Sequence, residues 1–343
     1  MAREITLYPE RASKDELKKF VEKRGYEKTK HLWDWSKGTL NFFWFDYDDY
    51  KSISGVELDI YPVSNEESLH TNNKWAVHVR NNYSGSFFDV KEFNEVIKQL
   101  RKRFGGIIMG DYGKNRYAPL WEDDSVPMQR GIECIYKYQK DVLKKVRHSL
   151  PDEIIQLTKS KNSKIESLNN FMKQQDPSRV IYNGLTPLLV SIVEYFLYSY
   201  FIVVLRYDLQ AKQKIENLSK IKLDFSDIEK LEKGIYSKEE IVADQYNFQN
   251  LESSQKAFRD VLNLDLHNIL HSKIIRKSRP RVDLFQLVSE LIEDRHEIVH
   301  KLRLDLLLSK TDFIYKLDIV QCMIDTVTDK IENKYGFQIN RDV

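Results

Sequence analysis

The run Glu290-Leu-Ile-Glu-Asp-Arg-His-Glu-Ile-Val-His-Lys-Leu-Arg-Leu-Asp305 holds the densest chemistry in the chain. Two patterns overlap in it. His296, Glu297 and His300 form His-Glu-x-x-His. Positions i and i+4 share a helix face, so two imidazoles can grip one zinc ion while the glutamate serves as general base. Arg295 and His300 form Arg-x4-His, with His296 directly after the arginine. There the chemistry is metal-free. His300 can exchange protons near neutrality. Arg295 stays charged and can hold phosphate oxygens as negative charge builds. His296 can share the proton transfers or orient the phosphate. A third reading is inert: Arg295 pairs with Glu293, Asp294 or Glu297 on a solvated face, and His300 is a satisfied core histidine.

The zinc pattern has a weak context. His300-Lys-Leu-Arg offers no Gly-x-x-His continuation, and Asp305, Asp318 and Glu332 stand at no recognised ligand spacing. His267 and His271 form another i, i+4 pair, which could join His296 and His300 in a four-histidine site. The stretch Lys273 to Arg281 has five positive charges in nine residues (Lys273, Arg276, Lys277, Arg279, Arg281) and can steer RNA phosphates toward the motif. Lys301 can add to that surface.

The elements that must carry these residues are legible in outline. Residues 281–304 predict an amphipathic helix, with Leu284, Leu287, Val288, Leu291, Ile292, Ile298, Val299 and Leu302 apolar. Further helices are expected at 130–149, 152–175, 186–209, 211–223, 238–249, 254–275 and 310–334. Pro151, Pro177, Pro187 and Pro280 mark junctions between them. Leu188 to Leu205 is apolar nearly all round. Glu194 in its middle and the lack of a second such segment favour a core helix or dimer interface over a membrane span.

With this context, residues 291–301 resemble the HEPN superfamily. Its members are α-helical domains, often metal-independent ribonucleases, whose signature is Arg, commonly followed by Asn, Asp or His, then His four to six residues on. The apolar helix with Glu194 resembles an earlier core helix of that fold. The resemblance reaches at most residues 180–340, and its specific part is about a dozen residues. It implies an endoribonuclease, of the toxin or phage-defence sort, with RNA as substrate and no cofactor. The 2′-hydroxyl would attack the phosphate, leaving a 2′,3′-cyclic phosphate and a 5′-hydroxyl. It also implies a homodimer that joins two motifs in one cleft. A non-catalytic HEPN-like binding or dimerisation module is the first alternative, and a zinc hydrolase using His296, Glu297 and His300 the second.

The first third has a different composition. All five Trp (33, 35, 44, 75, 121) lie within the first 125 residues, and nine of the twelve Gly lie at or before Gly131. Strands are expected at Ile5–Tyr8, Leu32–Trp35, Leu40–Phe45, Val56–Ile60, Trp75–Arg80 and Ile107–Met109, with a hairpin around Ser36-Lys37-Gly38. Ser13 and Glu16 predict a capping box for one helix, stopped by Gly25. A second helix is expected at about 89–104, ended by Gly105-Gly106. The fold class is therefore α+β: an antiparallel sheet with two helices on one face (about 1–125), then an all-α HEPN-like bundle (about 126–343). The first domain would sense a trigger, select a target or restrain the nuclease. Its aromatic run (Phe42, Phe43, Trp44, Phe45, Tyr47) could stack bases but better suits a sheet core. Asp46, Asp48 and Asp49 would repel phosphate.

Composition limits the function classes. Across 343 residues, 54 Lys+Arg against 52 Asp+Glu exclude a bulk electrostatic nucleic-acid binder. Two cysteines, Cys134 and Cys322, exclude a disulfide framework or Cys-rich zinc site. With no apolar leader, this points to a cytoplasmic protein without membrane contact.

Overall fold

The computed structural model describes residues 2–30, 37–154, 168, 171–216, 225–275 and 282–341. The chain divides into two compact units, residues 1–130 and 131–341.

The first unit is an antiparallel sheet backed by two helices. Its elements are β1 (Ala2–Tyr8), α1 (Lys14–Lys23), β2 (Glu27–Lys28), β3 (Leu40–Trp44), β4 (Val56–Pro62), β5 (Trp75–Asn82), α2 (Phe87–Phe104) and β6 (Ile107–Gly110). The strand order is β2-β3-β4-β5-β1-β6. Alternation decides which side chains go inward. Ile5, Leu7, Phe42, Leu58, Ile60, Val77 and Val79 meet Leu17 and Val21 of α1 and Val90, Phe93 and Ile97 of α2 in one core. Phe43 and Phe45 point the other way and form a row with the exposed Tyr47. The aromatic run is thus split by the pleat between core and outer face. The expected strand Leu32–Trp35, with Trp33 and Trp35, lies outside the described residues.

Both helices start with a capping box, Ser13 with Glu16 and Ser86 with Asp89. Asp89 does more than cap. Its buried Oδ2 also accepts the backbone N–H groups of Ile53 and Ser54, both at 3.0 Å, tying α2 to the chain entering β4. Gly105 ends α2 at φ +70°, and at the next residue, Gly106 (φ +96°), a Cβ would stand 2.0 Å from the Tyr8 carbonyl oxygen, so no other residue fits there.

The second unit is helical. Its elements are α3 (Pro127–His148, which begins in the first unit), α4 (Pro177–Tyr207), α5 (Leu209–Glu216), α6 (Phe225–Glu232), α7 (Lys238–Ala243), α8 (Leu251–Asp260), α9 (Leu266–His271), α10 (Leu284–Lys301) and α11 (Lys310–Tyr335), with a short hairpin of β7 (Ile274–Ile275) and β8 (Val282–Asp283). α4 is the centre. Among the described residues it alone is long and apolar enough to cross a membrane, but 67% of that stretch is buried within the protein. It packs against α7, α10 and α11. Tyr182 stacks on Phe313, and the buried Tyr200 hydroxyl meets Thr328 Oγ1 at 2.9 Å.

Three local expectations change. Pro187 lies inside α4 instead of at a junction, and the helix begins at Pro177, capped by Asp176. Buried residues on both sides of Pro187 outweigh the one backbone hydrogen bond it removes. The expected helix 254–275 breaks between α8 and α9, where Asn263 adopts φ +53° and Asp265 caps α9. The chain then turns into the β7–β8 hairpin, where β-branched Ile274, Ile275 and Val282 suit strands. The expected segments 152–175 and 211–223 fall largely outside the described residues.

Candidate active site on α10

α10 starts at Leu284 because Asp283 caps it, its Oδ1 accepting the N–H of Gln286 at 2.9 Å. The bond to Gln286, then the contact with His271, hold the Asp283 carboxyl below the usual aspartate range. A carboxyl that is more acidic when folded stabilises the fold above its ordinary pKa. That contribution is lost as pH falls through the lower, folded value. Asp283→Ala should cost about 1 kcal/mol at neutral pH. The deficit should narrow below about pH 4. Thermal melts of the two proteins across that range check it.

Leu284, Leu287, Val288 and Leu291 are the buried face of α10. One to two turns on, the chemistry-bearing residues lie outward. His296 and His300 are exposed, with ring centroids 4.9 Å apart. Arg295 is half-buried. The neighbouring carboxylates are already committed. Glu297 pairs with Lys301 and, at 3.2 Å, with Arg303. Asp294 pairs with Lys316 at 2.5 Å. Arg295 has no hydrogen bond or ion pair among the described residues. Among the described residues Arg295 is thus not paired with Glu293, Asp294 or Glu297, and His300 is exposed and not a core histidine.

The zinc arrangement does not fit either. No group of three His, Cys, Asp or Glu converges among the described residues, so neither the His-Glu-x-x-His set nor a four-histidine site is assembled. Glu297 is also a poor base. Its bond to Lys301, with the charges of Lys301 and Arg303, holds its carboxyl below the usual range. His267 and His271 face each other instead, Nε2 to Nε2 at 2.9 Å, with His271 Nδ1 against Asp283 Oδ2 at 2.7 Å.

α10 ends at Leu302, a left-handed residue at φ +52° whose side chain is 84% exposed. The loop that follows is held by Asn183 of α4. The fully buried Asn183 amide donates to the Asp305 carbonyl and accepts its N–H, both at 2.9 Å. Leu302, Leu304, Leu306 and Leu307 are exposed along this loop, and Val299 of α10 and Ile181 and Leu188 of α4 are exposed as well. Asn183→Ala would leave two backbone groups without partners. It should cost about 1–3 kcal/mol. It should also speed hydrogen exchange at the Asp305 amide, which NMR would detect.

The remaining expected residues are scattered. Lys301 is taken by Glu297. Lys273 is exposed. Arg276, Lys277, Arg279 and Arg281 lie outside the described residues. Glu194 is half-buried on α4 and accepts from Gln249 Nε2 at 3.1 Å, so it belongs to another surface than the motif. Compared with known proteins, the chain matches no family model, no curated protein and no solved structure.

Proposed function

We propose that the helical unit is a metal-independent endoribonuclease of HEPN type, acting through Arg295, His296 and His300. The observation that carries this reading is the unpaired Arg295 beside two exposed imidazoles, while Glu297 and Asp294 are occupied by Lys301, Arg303 and Lys316. A half-buried arginine with no ion pair among the described residues and two exposed histidines are available to a phosphodiester.

One imidazole takes the proton of a ribose 2′-hydroxyl as that oxygen bonds to phosphorus. The bond from phosphorus to the 5′-oxygen breaks, and an imidazolium gives the leaving oxygen its proton. Arg295 holds the non-bridging oxygens through the crowded transition state.

Arg295 and His300 are five residues apart, about 140° around an α-helix. One chain thus presents the imidazole pair on one face and the guanidinium on the next. A second copy facing the first brings the arginine of one helix to the histidines of the other. The exposed leucines at residues 302–307, with Ile181 and Leu188, supply the apolar surface such a homodimer buries.

The test is cleavage of RNA by the purified protein in excess EDTA, with analysis of the product ends. Cyclic-phosphate and 5′-hydroxyl ends are expected. Cleavage that needs added zinc, or no cleavage by full-length protein and by residues 131–343 alike, would overturn the reading in favour of a zinc hydrolase or a non-catalytic module.

A further inference from the structure

α4 and the chain after α7 line an open cleft of about 350 Å³, with Tyr195 and Asp244 exposed at its rim. That is the size of a small-ligand site. Its chemistry differs from that of the motif on α10. Glu194, Tyr195 and Tyr198 line one wall from a single face of α4, and Asp244, Tyr246 and Phe248 line the other. The other lining side chains are neutral, so the cleft holds two carboxylates and no base.

The walls are fixed from behind. The Tyr198 hydroxyl donates to Asp244 Oδ1 at 3.1 Å, and Phe248 meets the Tyr198 ring edge to face at 5.6 Å. Gln249 Nε2 engages Glu194 Oε1. This leaves Oδ2 of Asp244 and Oε2 of Glu194 without a hydrogen bond among the described residues. Neither carboxylate has an ion-pair partner there. Elsewhere on this unit carboxylates do find cations, as Glu297, Asp294 and Asp318 show. Two unpaired carboxylates among four aromatic rings form a preorganised site for positive charge. Aromatic rings attract a cation over their faces and offer apolar surface to its methylenes.

We infer that this cleft binds a small organic diammonium ion, a compound of the diamine or polyamine class. Each ammonium group would donate to a free carboxylate oxygen, and the alkyl stem would lie along Tyr195, Tyr198 and Tyr246. An anion is repelled by the same carboxylates, and a neutral chain of equal length gains only the ring contacts. The site is independent of the nuclease reading.

Isothermal titration calorimetry of the full chain with butane-1,4-diamine tests this, with butane-1,4-diol as the neutral control. The diamine should bind with a Kd of order 0.1–1 mM. The affinity should fall with added salt. Glu194→Gln and Asp244→Asn should each weaken it about tenfold with unchanged circular dichroism. Tyr195→Ala should weaken it about threefold. The proposal is overturned if the diamine gives no binding heat, if the diol binds equally well, or if both carboxamide variants bind like the wild type.

Discussion

Arg295→Ala and His300→Ala should each lower RNA cleavage in EDTA by about 100-fold or more. Neither should disturb the fold. His300 is exposed, its ring contact is with His296, and Arg295 has no hydrogen-bond or ion-pair partner among the described residues. Substitutions of that kind shift stability by less than about 0.5 kcal/mol. The melting temperature should therefore hold while activity falls, a split that a structural role for the motif cannot produce. His296→Ala separates the roles further. If the imidazoles divide the proton transfers, this variant should fall nearly as far as His300→Ala. If His296 only orients the phosphate, the loss should stay near tenfold. Glu297→Ala discriminates most sharply against zinc chemistry. It would abolish a reaction that uses Glu297 as base, whereas the proposed nuclease should keep its activity, since Glu297 only ties down Lys301 and Arg303. A mixed dimer of Arg295→Ala and His300→Ala chains offers a further check on the shared site. One of its two composite centres would be intact, so mixing two inactive proteins should restore measurable cleavage.

Phe201→Ala should destabilise the helical unit by about 3–5 kcal/mol. Phe201 is fully buried on α4 and meets the rings of Tyr246, Phe248 and Phe258, with centroids 5.8, 5.6 and 6.1 Å apart. Removing its ring leaves a cavity among three side chains from two other segments. Their backbones cannot all move inward, so the lost contacts are not regained. Urea unfolding followed by far-ultraviolet circular dichroism would measure the cost, since most helices lie in this unit. A loss below about 1 kcal/mol would mean that the segment carrying Tyr246 and Phe248 is not packed on α4 as described.

Much of the architecture could be read from residues close together in sequence. The capping box at Ser13 is a short-range contact between a side chain and a backbone N–H three residues on. The apolar spacing of Leu284, Leu287, Val288 and Leu291 marks the buried face of α10 before any partner is known, whereas the side of the sheet that each residue of the Phe42–Tyr47 run faces shows only in the folded strand. Such signals work because both interacting groups lie within one turn or one strand. Pro187 and the 254–275 segment depart from the local pattern because long-range packing and one left-handed asparagine override it.

The sequence by itself placed Arg295, His296 and His300 on one helix and made a proton-transfer site conceivable. It left open whether Arg295 is paired, because Glu293, Asp294 and Glu297 all stand within reach. Only the tertiary structure decided that. Lys316 comes from α11 to take Asp294, and the chain reversal after Leu302 brings Arg303 back to Glu297. The diammonium cleft was equally hidden, since Glu194 and Asp244 are fifty residues apart and meet only when α7 packs on α4. Charge pairing depends on distance in space, and packing alone sets that distance for residues far apart in the chain.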